Sequence, residues 1–139
     1  MFKHIGFDSR YFNGRGTYDS LGAYQSRESR FYEWFDFSEW PDGYSSWWGI
    51  YTLPQVNESH PGYIDFIIGN SDSVVRRWMR AGISGWRLDV ADELPDGFIE
   101  ELKTAAREEK NDAIASQLLM RNGCRTATEW LYDGSHRSK

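Results

Sequence analysis

Cysteine is nearly absent from the 139-residue sequence, in which Cys124 is the single thiol. This excludes a disulfide framework within the chain and a metal site built from several thiolates. Long apolar runs are also missing, because the longest candidates, such as residues 66–68, fall far short of the roughly 20 residues that a membrane span needs. No apolar stretch follows the first residues, as it would in a signal peptide, so we expect a cytoplasmic protein with no membrane partner.

Basic residues are outnumbered, with 16 Lys and Arg against 21 Asp and Glu and a net charge of −5. Because phosphate binding needs clustered Lys and Arg, this balance argues against a nucleic-acid partner. The length suits one domain of ordinary size and is below the roughly 250 residues of a complete eight-stranded (β/α) barrel.

Aromatic residues, by contrast, are abundant, at 17% of the chain, and six of the seven Trp precede residue 90. Two interpretations are open. Large rings bury much area, so they could form the core. They could also form a sugar site, because Trp and Tyr faces stack on the apolar C–H faces of pyranose rings.

The chain divides into three stretches by pattern. Residues 1–60 are rich in turn signals, and irregular stretches of this length in compact domains are usually functional. Within them, the alternation from Phe31 to Phe37 predicts a short strand. Residues 113–139 begin with Ala113 to Leu119, which could be strand or helix, and continue as a polar tail.

Residues 61–112 are regular and predict a helix, a strand and a second helix. Ser71 or Asp72 is the expected cap of the first helix, Gly82 its end, and its apolar positions are Val74, Val75, Trp78 and Met79. The strand is expected from Ile83 to Val90. Asp96 is the expected cap of the second helix, whose apolar stripe is Phe98, Ile99, Leu102, Ala105 and Ala106. This order is the repeat of a parallel α/β fold.

The predicted strand carries a pair of charged residues. Because side chains alternate along a strand, Trp86, Leu88 and Val90 should face the helices, and Arg87, Asp89 and Ala91 the other side. A guanidinium beside a carboxylate lowers the pKa of the carboxylate, and an ionised, positioned carboxylate is what a retaining glycosidase uses as its nucleophile. A structural Arg–Asp pair is the alternative.

The run Gly85-Trp86-Arg87-Leu88-Asp89-Val90-Ala91-Asp92-Glu93 closely resembles the fourth barrel strand of the α-amylase superfamily of glycoside hydrolases. Its last four residues resemble the branch of neopullulanases, cyclomaltodextrinases and maltogenic amylases, where Val-Ala-Asn-Glu is usual and Asp92 departs from the asparagine. Three other stretches agree in order. Leu53 to Asn57 is similar to the motif before the third barrel helix, and Phe2 to Gly6 to the end of the third barrel strand, with Lys3 in place of an asparagine. Gly22 to Ser26 and Trp47 to Ile50 are similar to the loop domain between them.

The resemblance implies an α/β fold that is an incomplete fragment of a (β/α)8 TIM barrel. The fragment would run from the end of the third barrel strand to the fourth barrel helix. Residues 1–60 would be the end of the third strand and the inserted irregular loop domain, and residues 61–112 the third helix, fourth strand and fourth helix. Residues 113–139 would be a divergent tail.

The resemblance also implies roles for single residues. Asp89 would be the catalytic nucleophile and Arg87 its positioning partner, while His4, Glu93 and Asn57 would contact the substrate. The implied substrate is an α-1,4-glucan, such as a starch-like oligosaccharide or a cyclodextrin. No cofactor is implied; Asp8 and Asp19 could bind calcium, but they lack a recognisable loop spacing.

One part of the family pattern is missing. Retaining hydrolysis needs a second carboxyl as general acid, about 5 Å from the first. The family places it on the next strand, where this chain has Ser116 to Leu119, and Glu129 lies too far on. We therefore expect an isolated chain without glycosidase activity, as a piece of a longer gene begun internally and shifted out of frame after about residue 112. The alternative is a non-catalytic glucan-binding module.

Overall fold

The computed structural model describes residues 2–121 and 124–130, with side chains as far as residue 114 except that of residue 89. It divides the chain into two compact units, Met1–Asn70 and Ser71–Lys139. Met1 and residues 131–139, which belong to the predicted ends of the fragment, lie outside the described residues. The three functional stretches predicted from the sequence, with limits at residues 60 and 112, remain a prediction.

The first unit consists mainly of turns with few regular elements. Its two short strands pair antiparallel, and its main helix continues from an α-helical into a π-helical turn. The elements are a 3-10 turn at Tyr32–Trp34, β1 at Phe37–Glu39, β2 at Gly43–Tyr44, a 3-10 turn at Trp47–Gly49, α1 at Pro61–Ile64 and the π-helical turn at Asp65–Gly69.

Packed rings form the core of this unit. Phe12 is 0% exposed, and its ring centroid lies 4.7 Å from that of Tyr44 and 4.8 Å from that of Phe35. Phe7 and Tyr24 complete the contact at 5.5 and 5.6 Å. Burial of Phe12 and Phe35, surrounded by half-buried rings, explains this part of the aromatic content, and the rings meet in edge-to-face and tilted arrangements that aromatic rings prefer.

The strand predicted from Phe31 to Phe37 is wrong over most of its length. Residues Tyr32–Trp34 form a 3-10 turn, and β1 begins only at Phe37. In a 3-10 helix residues three apart share a face. Phe31 and Trp34 are accordingly both buried, with ring centroids 4.9 Å apart. An alternating pattern could not reveal this, because Phe35 is buried as well.

The second unit contains the predicted helix–strand–helix order. Its elements are α2 at Val74–Arg80, β3 at Gly85–Asp89, α3 at Asp96–Glu109, β4 at Ile114–Arg121 and β5 at Cys124–Trp130. β3 pairs parallel with β4, from Gly85 opposite Ile114 to Asp89 opposite Leu118. The two strands and α3 thus form the βαβ unit expected of a parallel α/β fold.

The end of the sheet departs from a barrel repeat. β5 pairs antiparallel with β4, whereas a (β/α) barrel continues with a helix and another parallel strand. Ala113 to Leu119, left open between strand and helix, lies mostly in the strand β4. Over the part of the chain that the structure describes, the sheet containing β3 has three strands and no barrel is closed.

The ends of α2 correct the predicted cap. Ser73, and neither Ser71 nor Asp72, is the N-cap: its hydroxyl accepts a hydrogen bond from the backbone N–H of Arg76 at 3.5 Å. The predicted end at Gly82 is confirmed, because this glycine follows the helix with φ +103°, a conformation that favours glycine.

The predicted apolar positions of α2 are correct only in part. Val75 and Met79 are buried. Val74 is half-buried, and Trp78 is 54% exposed. The helix therefore presents a narrower apolar stripe than the sequence suggested.

In α3 the stripe was predicted correctly and the cap was not. The buried residues are Phe98, Ile99, Leu102, Ala105 and Ala106, as the periodicity predicts. Asp96 is the first helical residue and Pro95 occupies the N-cap position. The acidic side chain still lies in the first turn, where it interacts favourably with the helix dipole.

Ion pairs join α2 to α3 at the surface. The Arg76 guanidinium lies 2.6 Å from Glu108 and 3.3 Å from Glu109, and that of Arg80 lies 2.6 Å from Glu109. The Glu109 side chain is 15% exposed. Hydrogen bonds from Arg80, and then from Arg76, hold the pKa of Glu109 below its ordinary value.

We expect this carboxylate to make the second unit sensitive to acid. A carboxyl group whose pKa is lowered by folding stabilises the folded state at pH values above its unfolded-state pKa, near 4.5. This stabilisation is lost as the pH falls through the folded-state pKa. We expect Glu109→Gln to lower the urea midpoint at neutral pH and to flatten its decline in acid. Glu101→Gln, an exposed position of the same helix, is the control. Equal acid slopes in wild type and Glu109→Gln would contradict the prediction.

Candidate active site

The strand β3 presents the predicted charged residues near its carboxyl end. Leu88 is 2% exposed and Arg87 is exposed, which is the alternation expected of a strand with one covered face. Asp89 is the last residue of β3, and its backbone pairs with that of Leu118 in the parallel strand β4. The carboxyl end of a parallel strand is where barrel enzymes carry catalytic groups. The Asp89 side chain is outside the described residues.

The backbone turns sharply directly after Asp89. Val90 was expected to continue the strand, but it lies in the left-handed region, with φ 52° and ψ 46°. For a β-branched residue this conformation is a genuine outlier that costs on the order of 1–3 kcal/mol. A 3-10 turn at Ala91–Glu93 follows, in which the Glu93 N–H donates to the Val90 carbonyl at 3.1 Å.

The strained Val90 has two consequences for the sequence-based predictions. It ends β3 one residue early, so the predicted assignments of Val90 and Ala91 to opposite strand faces are wrong. It also holds Asp89 and Glu93 on either side of a tight turn. No signal in the sequence marked Val90, because valine favours extended backbone.

His4 lies in the first unit and is buried, at 3% exposed. Its ring stacks on Trp47 with centroids 4.7 Å apart. The family resemblance placed His4 at the end of a barrel strand. In the structure its backbone forms an isolated antiparallel bridge to Gln55. The Ile5 N–H donates to the Pro54 carbonyl at 3.1 Å beside it. The two segments that the family resemblance singled out are thus joined through their backbones.

A charged pair that sequence reasoning missed lies next to His4. The Lys3 ammonium is 2.9 Å from a carboxylate oxygen of Glu58, whose side chain is 9% exposed. A buried carboxylate needs such a partner. Lys3 departs from the family's asparagine, and this contact gives the lysine a structural role.

Asn57 stabilises the turn that leads into α1. Its side-chain oxygen accepts a hydrogen bond from the Ser59 N–H at 3.1 Å, and its own N–H donates to the Trp34 carbonyl at 2.8 Å. These contacts are typical of an Asx turn. The predicted contact of Asn57 with substrate remains a prediction beside this structural role.

Two tyrosine hydroxyls fix the aromatic loops of the first unit. The Tyr24 hydroxyl donates to Asp42 at 2.6 Å, and the Tyr44 hydroxyl donates to the Tyr51 carbonyl at 2.6 Å. The hydrogen bond to Asp42 raises the pKa of Tyr24, and burial raises the pKa of Tyr44. Both hydroxyls therefore remain protonated donors at neutral pH.

The predicted site residues fall into two groups. His4 and Asn57 lie within the unit Met1–Asn70, and Arg87, Asp89 and Glu93 lie within the unit Ser71–Lys139. Within the described residues, no three His, Cys, Asp or Glu side chains come together in a way that could hold a metal ion. Asp8, considered for calcium, instead pairs with Arg15 at 2.7 Å.

The described helices include none with the length and apolar character to cross a membrane.

Comparison with known proteins places these segments in context. No family model matches the sequence. The chain is 34% identical over 135 residues to an amylopullulanase of Thermoanaerobacter thermohydrosulfuricus, a match that covers 81% of this chain and 9% of the relative. It is 28% identical over 97 residues to neopullulanase 2 of Thermoactinomyces vulgaris, covering 65% of this chain and 16% of the relative.

Solved structures agree in fold. The type III pullulan hydrolase from Thermococcus kodakarensis matches with a TM-score of 0.68 and 28% identity, over 85% of this chain and 20% of that one. The debranching enzyme of Nostoc punctiforme matches in fold with a TM-score of 0.69 at 22% identity, over 89% of this chain and 26% of that one.

The fold and these relatives define the class: the homologues and structural neighbours of this chain are glycoside hydrolases of the α-amylase family, the family that its sequence motifs predicted. Within this family its curated relatives are amylopullulanases, neopullulanase, cyclomaltodextrinases and a maltogenic amylase. The chain spans about a tenth of the amylopullulanase that it matches, 9% of its length. Its structural neighbours are TIM-barrel enzymes matched over part of the chain.

Proposed function

We propose that this chain carries the nucleophile segment of a retaining glycoside hydrolase that acts on α-1,4-glucans or cyclodextrins. The observation that carries the proposal is the position of Asp89, the last residue of a parallel strand, two residues after an exposed arginine and directly before the strained Val90. Relatives named for pullulan and cyclomaltodextrin support the substrate class. A cytoplasmic location and the absence of a nucleic-acid partner belong to the same proposal.

In this proposal Asp89 attacks the anomeric carbon of the glucosyl unit. Its ionised carboxylate forms a bond to C1 while the glycosidic bond breaks, and water later hydrolyses the covalent glycosyl ester with retention of configuration. Arg87 lies two positions away on β3, and by the family resemblance it is the positioning partner of Asp89. Within the same unit, Glu93 is proposed to contact the bound sugar, and the sugar contacts of His4 and Asn57, which lie in the unit Met1–Asn70, stay predictions of the family resemblance.

The departing glycosidic oxygen needs a proton from a second carboxylic acid. The strand β4, next to β3, has Ser116-Gln117-Leu118-Leu119 where the family resemblance places this acid, and none of the four is acidic. We therefore propose that the isolated chain does not turn over glucans. Hydrolysis of maltotriose or cyclodextrin that Asp89→Ala abolishes would contradict this.

A reagent that needs no acid tests the nucleophile by itself. In 5-fluoro-α-glucosyl fluoride the leaving group is fluoride, which departs from C1 without protonation as the Asp89 carboxylate bonds to C1. The ring fluorine slows hydrolysis of the ester. We expect mass spectrometry to find the added glycosyl group on the peptide that contains Asp89, with labelling lost completely in Asp89→Asn.

The matched control is Asp92→Asn, which changes another carboxylate in the turn that follows β3. It should retain the label. Modification of a different peptide, equal labelling of Asp89→Asn, or no labelling of the wild-type chain would each refute the assignment of Asp89 as nucleophile.

A non-catalytic glucan-binding module is the second candidate function. The compact, aromatic-rich unit Met1–Asn70 favours it, because exposed rings in this unit include Trp48 and Tyr51. Glucan binding without labelling of Asp89 would select this candidate over the nucleophile segment.

A further inference from the structure

Trp48 has an unusual position on the surface of the first unit. Its side chain is 64% exposed, which is rare for so large an apolar ring. One face of the indole is covered, because the ring of Trp47 stacks on it with centroids 4.6 Å apart and an interplanar angle of 16°. We name the exposed part of this indole the Trp48 platform.

The backbone holds the platform outward at a cost. Trp48 lies in the left-handed region, with φ 52° and ψ 27°, which is unfavourable for a bulky residue. Gly49, at φ 74°, continues the turn. Strained backbone of this kind persists where its surroundings fix it and is frequent at ligand sites.

Hydrogen bonds fix this turn on both sides. The Gly49 N–H donates to the Ser46 carbonyl at 3.2 Å, and the Ile50 N–H donates to the Trp47 carbonyl at 3.0 Å. The Trp47 N–H donates to the Leu53 carbonyl at 2.9 Å, which closes the loop. The platform is thus preorganised, so little rotational freedom is lost when a ligand covers it.

A stack of three rings connects the platform to a predicted substrate contact. His4 stacks on Trp47 at 4.7 Å, and Trp47 stacks on Trp48 at 4.6 Å. The inner ring, His4, is 3% exposed, and the outer ring, Trp48, is 64% exposed. A flat, electron-rich face attracts the weakly positive C–H groups of a pyranose ring, by the same quadrupole that governs aromatic pairs.

We infer that the Trp48 platform stacks on a glucose ring of an α-linked glucan and is the principal binding contact of the first unit. This inference deepens the proposed function and rests on it for the class of ligand. Tyr51, three residues after Trp48 on the same loop, is 50% exposed and provides a further aromatic surface.

Calorimetric titration of the full-length chain with β-cyclodextrin and with maltoheptaose tests the inference. We expect Trp48→Asn to weaken binding roughly tenfold or more, since tryptophan anchors carry much of the free energy of an interface. Asparagine suits this variant because it tolerates the left-handed backbone while lacking the ring. Trp48→Phe, which retains a smaller ring, should bind with intermediate affinity.

The matched control is Trp78→Asn, which removes the other strongly exposed tryptophan of the described residues, 54% exposed on α2. It should bind as the wild-type chain does. Unchanged affinity in Trp48→Asn, an equal loss in Trp78→Asn, equal binding of the β-linked glucan cellohexaose, or no binding by the wild-type chain would each overturn the inference. Circular dichroism of Trp48→Asn matching the wild type shows that a loss of affinity is not a loss of fold.

The outcome is separate from that for the nucleophile, because titration measures binding without bond cleavage. A chain that binds cyclodextrin but is not labelled at Asp89 retains the platform and loses the nucleophile assignment. A chain that is labelled but does not bind loses the platform alone.

Discussion

Replacing Gly85 with alanine is expected to separate β3 from β4. A Cβ atom at residue 85 would lie 1.9 Å from the carbonyl oxygen of Ile114 and 2.7 Å from its carbonyl carbon. These atoms are backbone atoms of the paired strand, so no side chain can move aside. Glycine within a strand often marks such a close backbone approach. The expected destabilisation is at or above the upper end of the roughly 1–3 kcal/mol seen for overpacked sites.

Such a loss is large beside the total stability of a small protein, which is about 5–15 kcal/mol. Urea unfolding followed by circular dichroism measures it, and Gly85→Ala should also lose labelling at Asp89 because the strand that positions this residue is displaced. Gly97→Ala is the control: the added methyl group meets nothing within 4 Å on α3, and alanine favours the helix. If both variants unfold at the same urea concentration, the close approach of the two strands is refuted.

Truncating Phe12 to alanine should have a comparable effect on the first unit. Phe12 is fully buried, and its ring contacts those of Phe35 and Tyr44 at 4.8 and 4.7 Å. Removing a buried phenyl ring leaves a cavity and costs about 3–5 kcal/mol. Few regular hydrogen-bonded elements support this unit, so the packed rings are its main source of stability.

Chemical unfolding monitored by tryptophan fluorescence tests this prediction, because Trp34 lies in the same unit. Leu21→Ala is the control, since Leu21 is 54% exposed and surface substitutions usually change stability by about 0.5 kcal/mol or less. A Phe12→Ala chain as stable as Leu21→Ala would show that the ring cluster does not hold the unit together.

The stability of each unit bears on the proposed chemistry. Asp89 can act as a nucleophile only if β3 is paired, and the Trp48 platform exists only if its turn is held on the ring core. Gly85→Ala and Phe12→Ala therefore test the folded units that carry the two sites, and the labelling and titration experiments test the sites themselves.

The features that one local rule decides could be predicted from the sequence. The five apolar positions of α3 follow helical periodicity, and all five are buried. The helix–strand–helix order of residues 61–112 was also predicted correctly, whereas the parallel pairing of β3 with β4 was not predicted, because Ala113 to Leu119 could be strand or helix by pattern. The family was correctly predicted from the motif around Asp89, since a local run of residue types survives without any knowledge of packing.

The features that were mispredicted depend on neighbours outside the local pattern of residues. The stretch from Phe31 to Phe37 alternates like a strand, yet it begins as a 3-10 turn because its rings pack on other rings of the core. The predicted N-caps of α2 and α3 were each misplaced by one or two residues. Residue type alone does not fix the residue at which the backbone becomes helical.

The amino-acid sequence by itself determined the family, the apolar stripe of α3 and the strand that bears Arg87 and Asp89, because these depend on residue type and spacing along the chain. Only the tertiary structure decided that Val90 and Trp48 adopt left-handed backbone and that His4 lies beneath a stack of two indoles. Neither residue favours that conformation locally. The stacking of His4 on Trp47 joins residues that are distant in sequence, and such contacts leave no periodic signal.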